Sequence, residues 1–146
     1  MATGNPVNKE DLERNKKTVI AFYSRSFNDK QPDDAVAKYV GSEYIQHNPD
    51  PPSGAAAFVK SATEFIAKFP QVSVEIKRVI AEDDVVVAHN LVKLKPEDCR
   101  MVGVDIFRFL DGKIVEHWMF ASRYQRSLRT TTPCSDCTGA EKGAAF

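Results

Sequence analysis

The chain has 146 residues and a mass of 16.3 kDa, which is one domain of ordinary size, and its 42% apolar and 27% charged content is that of a globular protein. The 20 Lys plus Arg balance the 20 Asp plus Glu, and a zero net charge argues against a nucleic-acid partner and against a purely electrostatic membrane-surface role. No apolar run approaches the ~20 residues of a membrane span, the N-terminal residues lack the apolar stretch of a secretory signal, and three cysteines make no disulfide framework. A cytoplasmic protein that folds without metal or disulfide is expected.

In chain order, Asn8 is placed to cap a first helix, with Glu10, Asp11 and Glu13 at its positive end. Leu12, Val19, Ile20, Tyr23 and Phe27 recur at helical spacing, and the helix is expected to end near Asn28. Pro32, Asp33 and Asp34 open a short second helix that Gly41 stops. The segment Glu43 to Pro49 reads as extended, and Asp50-Pro51-Pro52 breaks it. Ser53 is expected to cap a third helix with the face Phe58, Ala62, Phe65, Ile66 and Phe69, closed by Pro70. From Gln71 the period changes from helical to alternating. Strands are predicted around Val72–Val79, Val85–Leu94, Met101–Leu110 and Lys113–Ala121. The tail from Ser127 has little apolar content and is expected to be disordered. This division gives a folded domain over 1–126 and a tail over 127–146. Helices followed by a run of strands read as α+β, with helices on one face of a curved antiparallel sheet.

Asp111-Gly112 is a strong signal for a two-residue hairpin turn. Leu110 then pairs with Lys113, Phe109 with Ile114, Phe107 with Glu116 and Asp105 with Trp118. Paired residues share a sheet face. One face is therefore expected to carry Asp105, Phe107, Phe109, Ile114, Glu116, Trp118 and Phe120, and the other Ile106, Arg108, Leu110, Val115, His117 and Met119. A one-residue bulge breaks this assignment from the point where it occurs.

Asp105 stands among aromatic residues in this scheme. Desolvation disfavours a charge there, and such an acid can donate or relay a proton near neutrality. The structural alternative is a carboxylate bonded to a backbone amide or to Arg108. His47 precedes Asn48-Pro49 at the mouth of the third helix, where a neutral imidazole can take an acidic C–H proton; the alternative is a turn histidine bonding a local carbonyl. His89 lies mid-strand, and most such histidines are core groups. His117 falls on the face opposite Asp105 and reads as structural. The three histidines lack helical zinc-site spacing, so no metal is assigned. Cys134-Ser135-Asp136-Cys137 is a lone CxxC and weak evidence for zinc or redox chemistry. No glycine-rich phosphate loop is present, so no nucleotide cofactor is expected.

Tyr44-Ile45-Gln46-His47-Asn48-Pro49, Val85-Val86-Val87-Ala88-His89, Val104-Asp105-Ile106-Phe107-Arg108 and Asp111-Gly112-Lys113-Ile114-Val115-Glu116-His117-Trp118 together resemble the SnoaL-like polyketide cyclase family, of the nuclear-transport-factor-2-like superfamily. The similarity runs from about Asn8 to Ala121. It implies a cone-shaped barrel of curved antiparallel sheet closed by three N-terminal helices. It also implies a hydrophobic pocket for a polyketide-like substrate and enolate acid/base chemistry, either aldol cyclisation or isomerisation, without cofactor. Asp105 matches the family's strand acid and His47 is its assistant. Tyr44, Asn48, His89, Phe107 and Trp118 are the substrate-binding candidates. Many relatives continue Glu-His-Trp-Asp, whereas this chain has Met119 in the last position. That departure keeps open a non-catalytic small-ligand or protein-binding module of the same fold. Superfamily members often pair through the outer sheet face, and a homodimer is expected through Ile106, Leu110, Val115 and Met119.

Overall fold

Local sequence signals set the helix starts. A computed structural model describes residues 7–48, 52–97 and 101–123. The first helix, α1 (Lys9–Tyr23), begins at a reciprocal cap: the Asp11 backbone N–H donates to Asn8 Oδ1 at 2.9 Å, and the Asn8 N–H donates to the Asp11 carboxylate at 3.3 Å. A single π turn, Ser24–Asn28, continues it, with the Asp29 N–H reaching back to the Ser24 carbonyl at 2.9 Å. The Asn28 side chain at its end both donates to and accepts from the backbone of Val74, standing in for a strand partner. Helix α2 (Pro32–Tyr39) starts on its proline, and β1 (Val40–Gln46) follows directly. Ser53 does not cap the third helix: Gly54 does, at φ 107°, and α3 runs Ala55–Lys68. Ser53 Oγ instead accepts from the Gln46 N–H at 3.0 Å, tying the end of β1 to the start of α3.

Strands β2 (Ser73–Glu82), β3 (Val85–Lys93), β4 (Met101–Leu110) and β5 (Lys113–Arg123) follow as an antiparallel meander. The sheet order is β1-β5-β4-β3-β2, and β1 pairs with β5 in parallel. The fold is thus the expected α+β class, three helices on a curved, antiparallel-dominated sheet. The sheet is open rather than closed into a barrel, with β1 and β2 at its two edges. The expected tail, 127–146, lies outside the described residues, and so does the CxxC pair.

The core lies between the helices and one sheet face. Val19, Phe22 and Tyr23 of α1 and Phe58 and Ala62 of α3 pack on Val74, Val86, Ala88, Phe107, Phe109 and Ile114. Phe22 and Phe107 are almost wholly buried and meet edge to face at 6.2 Å; each contributes roughly 1.5–3 kcal/mol by burial.

The hairpin corrects one expectation. Leu110 pairs with Lys113 and Phe109 with Ile114, but Arg108 pairs with Glu116, Phe107 with His117, Ile106 with Trp118 and Asp105 with Met119. Val115 is a bulge, and every residue beyond it changes face. Both Ile114 and Val115 are buried in consequence. The bulge has room because β1 passes beside it at a glycine: a Cβ on Gly41 would sit 3.0 Å from Val115 Cγ1.

Candidate functional site

The bulge brings His117 onto the inner face with Asp105. Asp105 is 1% exposed and His117 4%. Four elements deliver groups to this point. Tyr23, at the end of α1, donates its hydroxyl to Asp105 Oδ1 at 2.6 Å. His117 Nε2, from β5, lies 2.7 Å from the same oxygen. Asn90, from β3, donates its amide to Asp105 Oδ2. Gln46, the last residue of β1, places Nε2 3.0 Å from His117 Nδ1. Tyr44 stands beside it, with its hydroxyl 3.5 Å from Gln46 Nε2.

Aromatic packing holds these groups in place. The Phe107 ring stacks on the His117 imidazole at 4.6 Å and 8°, and meets the Tyr23 ring edge-on at 5.7 Å. Tyr44 is edge-on to Phe58 at 6.3 Å. Asn90 lies against Gly103, where a Cβ would fall 2.6 Å from its Oδ1, so β4 needs a glycine at that point. Both Asp105 oxygens act as acceptors. Burial first, and then the neighbouring Asp105 charge, push the Tyr23 hydroxyl well above the usual phenol range. The same two causes raise Tyr44. Both phenols are therefore neutral at physiological pH, with Tyr23 the donor to Asp105. The arrangement is a buried, linked set of hydrogen-bonding groups converging on one carboxyl.

The sequence-derived candidates divide between the two faces. Asp105, Tyr44 and Phe107 come together inside. His47 and Trp118 stack on each other at 4.2 Å and 2°, on the side of the sheet away from Asp105. His47 Nε2 lies 2.8 Å from Glu116 Oε2, and Glu116 Oε1 accepts from Arg108 Nε at 2.6 Å. These hydrogen bonds, His47 first and then Arg108, hold the Glu116 carboxyl below its ordinary range. His89 also lies on that side, where its Nδ1 is 2.9 Å from Arg78 Nη1. Asn48 uses its side chain on the backbone of Met119, accepting from the N–H at 2.8 Å and donating to the carbonyl at 3.2 Å. His117 is not opposite Asp105 as expected but bonded to it.

Sequence reading missed Tyr23, Gln46, Asn90 and His117. Tyr23 sits in the same helical stripe as Val19 and Phe22, and nothing in the spacing separates a donor from a core ring. Asn90 offered a signal, a lone amide within the apolar run of β3.

Comparison with known proteins agrees with this fold. A family model described as SnoaL-like polyketide cyclase matches residues 17–125. No curated protein matches the chain. Among solved structures, a candidate polyketide cyclase from Bacillus cereus ATCC 10987 superposes with a TM-score of 0.67 at 18% identity, covering 82% of this chain and 87% of its own. A candidate SnoaL-like polyketide cyclase from Jannaschia sp. CCS1 gives 0.65 at 18% identity, covering 78% and 89%. AclR, a candidate hydroxylase from Streptomyces galilaeus, gives 0.63 at 22% identity, covering 77% and 81%. At these identities the structural likeness speaks to the fold alone.

Proposed function

The chain belongs to the SnoaL-like polyketide cyclase family, and from that membership we propose that it is a cytoplasmic, cofactor-independent enzyme acting on a hydrophobic, polyketide-like substrate by enolate acid/base chemistry. The observation that carries this reading is the buried Asp105 carboxyl with Tyr23 Oη at 2.6 Å and His117 Nε2 at 2.7 Å. A substrate with an acidic C–H bond gives its proton to Asp105. Tyr23, neutral and aimed at the same point, donates to the enolate oxygen as charge develops there. Return of the proton elsewhere on the substrate isomerises it, and attack of the enolate carbon on a carbonyl closes a ring, the new alkoxide taking the proton back from Asp105. His47 has no part in this scheme, because its ring lies on the other side of the sheet.

One observation favours a second reading. Both Asp105 oxygens already accept bonds from Tyr23, His117 and Asn90, and Met119 rather than a second acid pairs with Asp105 across the strands. A carboxyl so fully occupied suits a non-catalytic module that binds a small ligand or a protein.

Deuterium exchange at the acidic carbon of ethyl benzoylacetate separates the two. An enzyme accelerates exchange above the buffer rate, and Asp105→Asn lowers that rate by about 10²–10⁴-fold, the usual worth of a general acid or base. Binding seen by NMR with no acceleration in either form rejects the enzymatic reading.

The outer sheet face supports the proposal of a homodimer. Registered pairing aligns Ile80, Val87, Ile106 and Trp118 across four strands, with Val104 and Phe120 beside them. Ile80 and Phe120 are 65% and 66% exposed. A belt of this size is unusual on a monomer. The bulge changes the membership expected from sequence: Val115 is buried, and Met119 belongs to the inner set.

A further inference from the structure

His117 has two ring nitrogens, and the groups around it decide which one carries the proton. The decision begins at the backbone. The Met119 N–H and C=O fix the orientation of the Asn48 side-chain amide, since each can play only one part in a hydrogen bond. Asn48, held there, points its own backbone N–H at Gln46 Oε1 at 3.2 Å. An N–H can only donate, so the atom facing it is the Gln46 oxygen, and the Gln46 nitrogen faces His117. That nitrogen is itself only a donor, so His117 Nδ1 must accept, at 3.0 Å. The proton is left on Nε2, where it points at Asp105 Oδ1. The opposite amide orientation would set the Gln46 nitrogen against the Asn48 N–H, two donors head to head.

We propose that Gln46 is a positioning residue that locks His117 in the Nε2–H form, making it a fixed donor to Asp105 and not a base. The consequence rests on the enzymatic reading above. An amide nitrogen does not carry a proton onward at physiological pH, so Gln46 closes the outer end of the chain at Nδ1. A proton taken up by Asp105 is exchanged with Tyr23 or with the substrate, and His117 serves to hold the carboxyl still.

The imidazole ¹⁵N spectrum of the wild-type protein tests the lock directly, without a substrate or a variant. The expected result is a protonated Nε2 and a bare Nδ1 for His117. A protonated Nδ1 overturns the proposal. Two variants extend the test. Gln46→Glu puts an acceptor at Nδ1, so both ring nitrogens should then carry protons. Gln46→Met removes the donor, so the Nδ1 resonance should shift as that nitrogen loses its partner, while Asp105 still draws a proton to Nε2. An unchanged His117 spectrum in both folded variants also overturns the proposal. In the exchange assay Gln46→Met should lower kcat about tenfold with KM unchanged, and Gln46→Glu should add a pH-dependent limb that the wild type lacks. A wild type that shows the Nε2–H form but no exchange activity leaves the lock standing and removes the enzymatic reading. Exchange activity with a protonated Nδ1 does the reverse.

Discussion

Strands β4 and β5 carry two polar clusters back to back, one on each face of the same hairpin. Inside, Tyr23, Asn90 and His117 surround Asp105 with no water-exposed member. Outside, Arg108, three residues on from Asp105, and Glu116, next to His117, pair in register, with His47 on the far oxygen of Glu116. Each cluster has a carboxylate and a histidine less than 3 Å apart. They differ in what surrounds them. The His47 side chain is 36% exposed and that of His117 is 6%. In water the outer contacts compete with hydration and are screened, whereas the inner ones replace hydration that cannot return. Residue type is shared between the clusters, so burial sets how much each is worth and which of them is fitted to chemistry.

The sharpest way to break this comparison is to empty the inner cluster. Asp105→Ala strands three buried donors, each costing about 1–3 kcal/mol, so urea unfolding should show a loss of at least ~3 kcal/mol. A loss below ~1 kcal/mol would mean that the inner face is wet and the two clusters are alike.

Alkali probes the same face less drastically. Tyr23 and Tyr44 are raised in the folded state, so their contribution is complete below the unfolded phenol value of about 10 and is lost as pH rises toward the folded values. Stability should fall above pH ~10 by about 1.4 kcal/mol per pH unit for each of the two. Ultraviolet titration should show both phenols silent until the fold opens. Ionisation of either one in the folded protein at pH 10 contradicts a sealed interior.

The outer cluster should respond weakly. Glu116 is depressed in the folded state, so its contribution is present above the ordinary glutamate value of 4.5 and is lost as pH falls through the folded value. Glu116→Gln should cost less than about 1 kcal/mol at pH 7 and almost nothing at pH 3. A larger cost at pH 7 would show this pair to be shielded, as it would be under a partner subunit.

The smallest effect on folding is expected from Ile80→Lys with Phe120→Ser, since both side chains are mostly exposed; the change should lie within about 0.5 kcal/mol per site. Light scattering should nevertheless fall from twice the chain mass to 16.3 kDa. A wild type already at the single-chain mass removes the proposed dimer and leaves the apolar belt without an explanation.

The order of elements was legible from the sequence because its signals are local. Asn8 and Asp11 cap α1, Pro32 opens α2, Asp111-Gly112 turns β4 into β5, and the change of period after Pro70 marks the sheet. Asp105 was legible too, as a lone acid in an apolar strand. The partners of Asp105 were not. Ile114 and Val115 are both apolar, so alternation alone has no way to place the bulge between them. That single residue decides whether His117 or Trp118 looks inward. The bulge packs against Gly41, more than 70 positions earlier, in a parallel pairing that no local pattern announces. Tyr23 and Gln46 reach the site from a helix and an edge strand. Local propensity determined which elements form; which side chains meet was decided by close packing between distant segments, where one residue of register turns every following side chain to the opposite face.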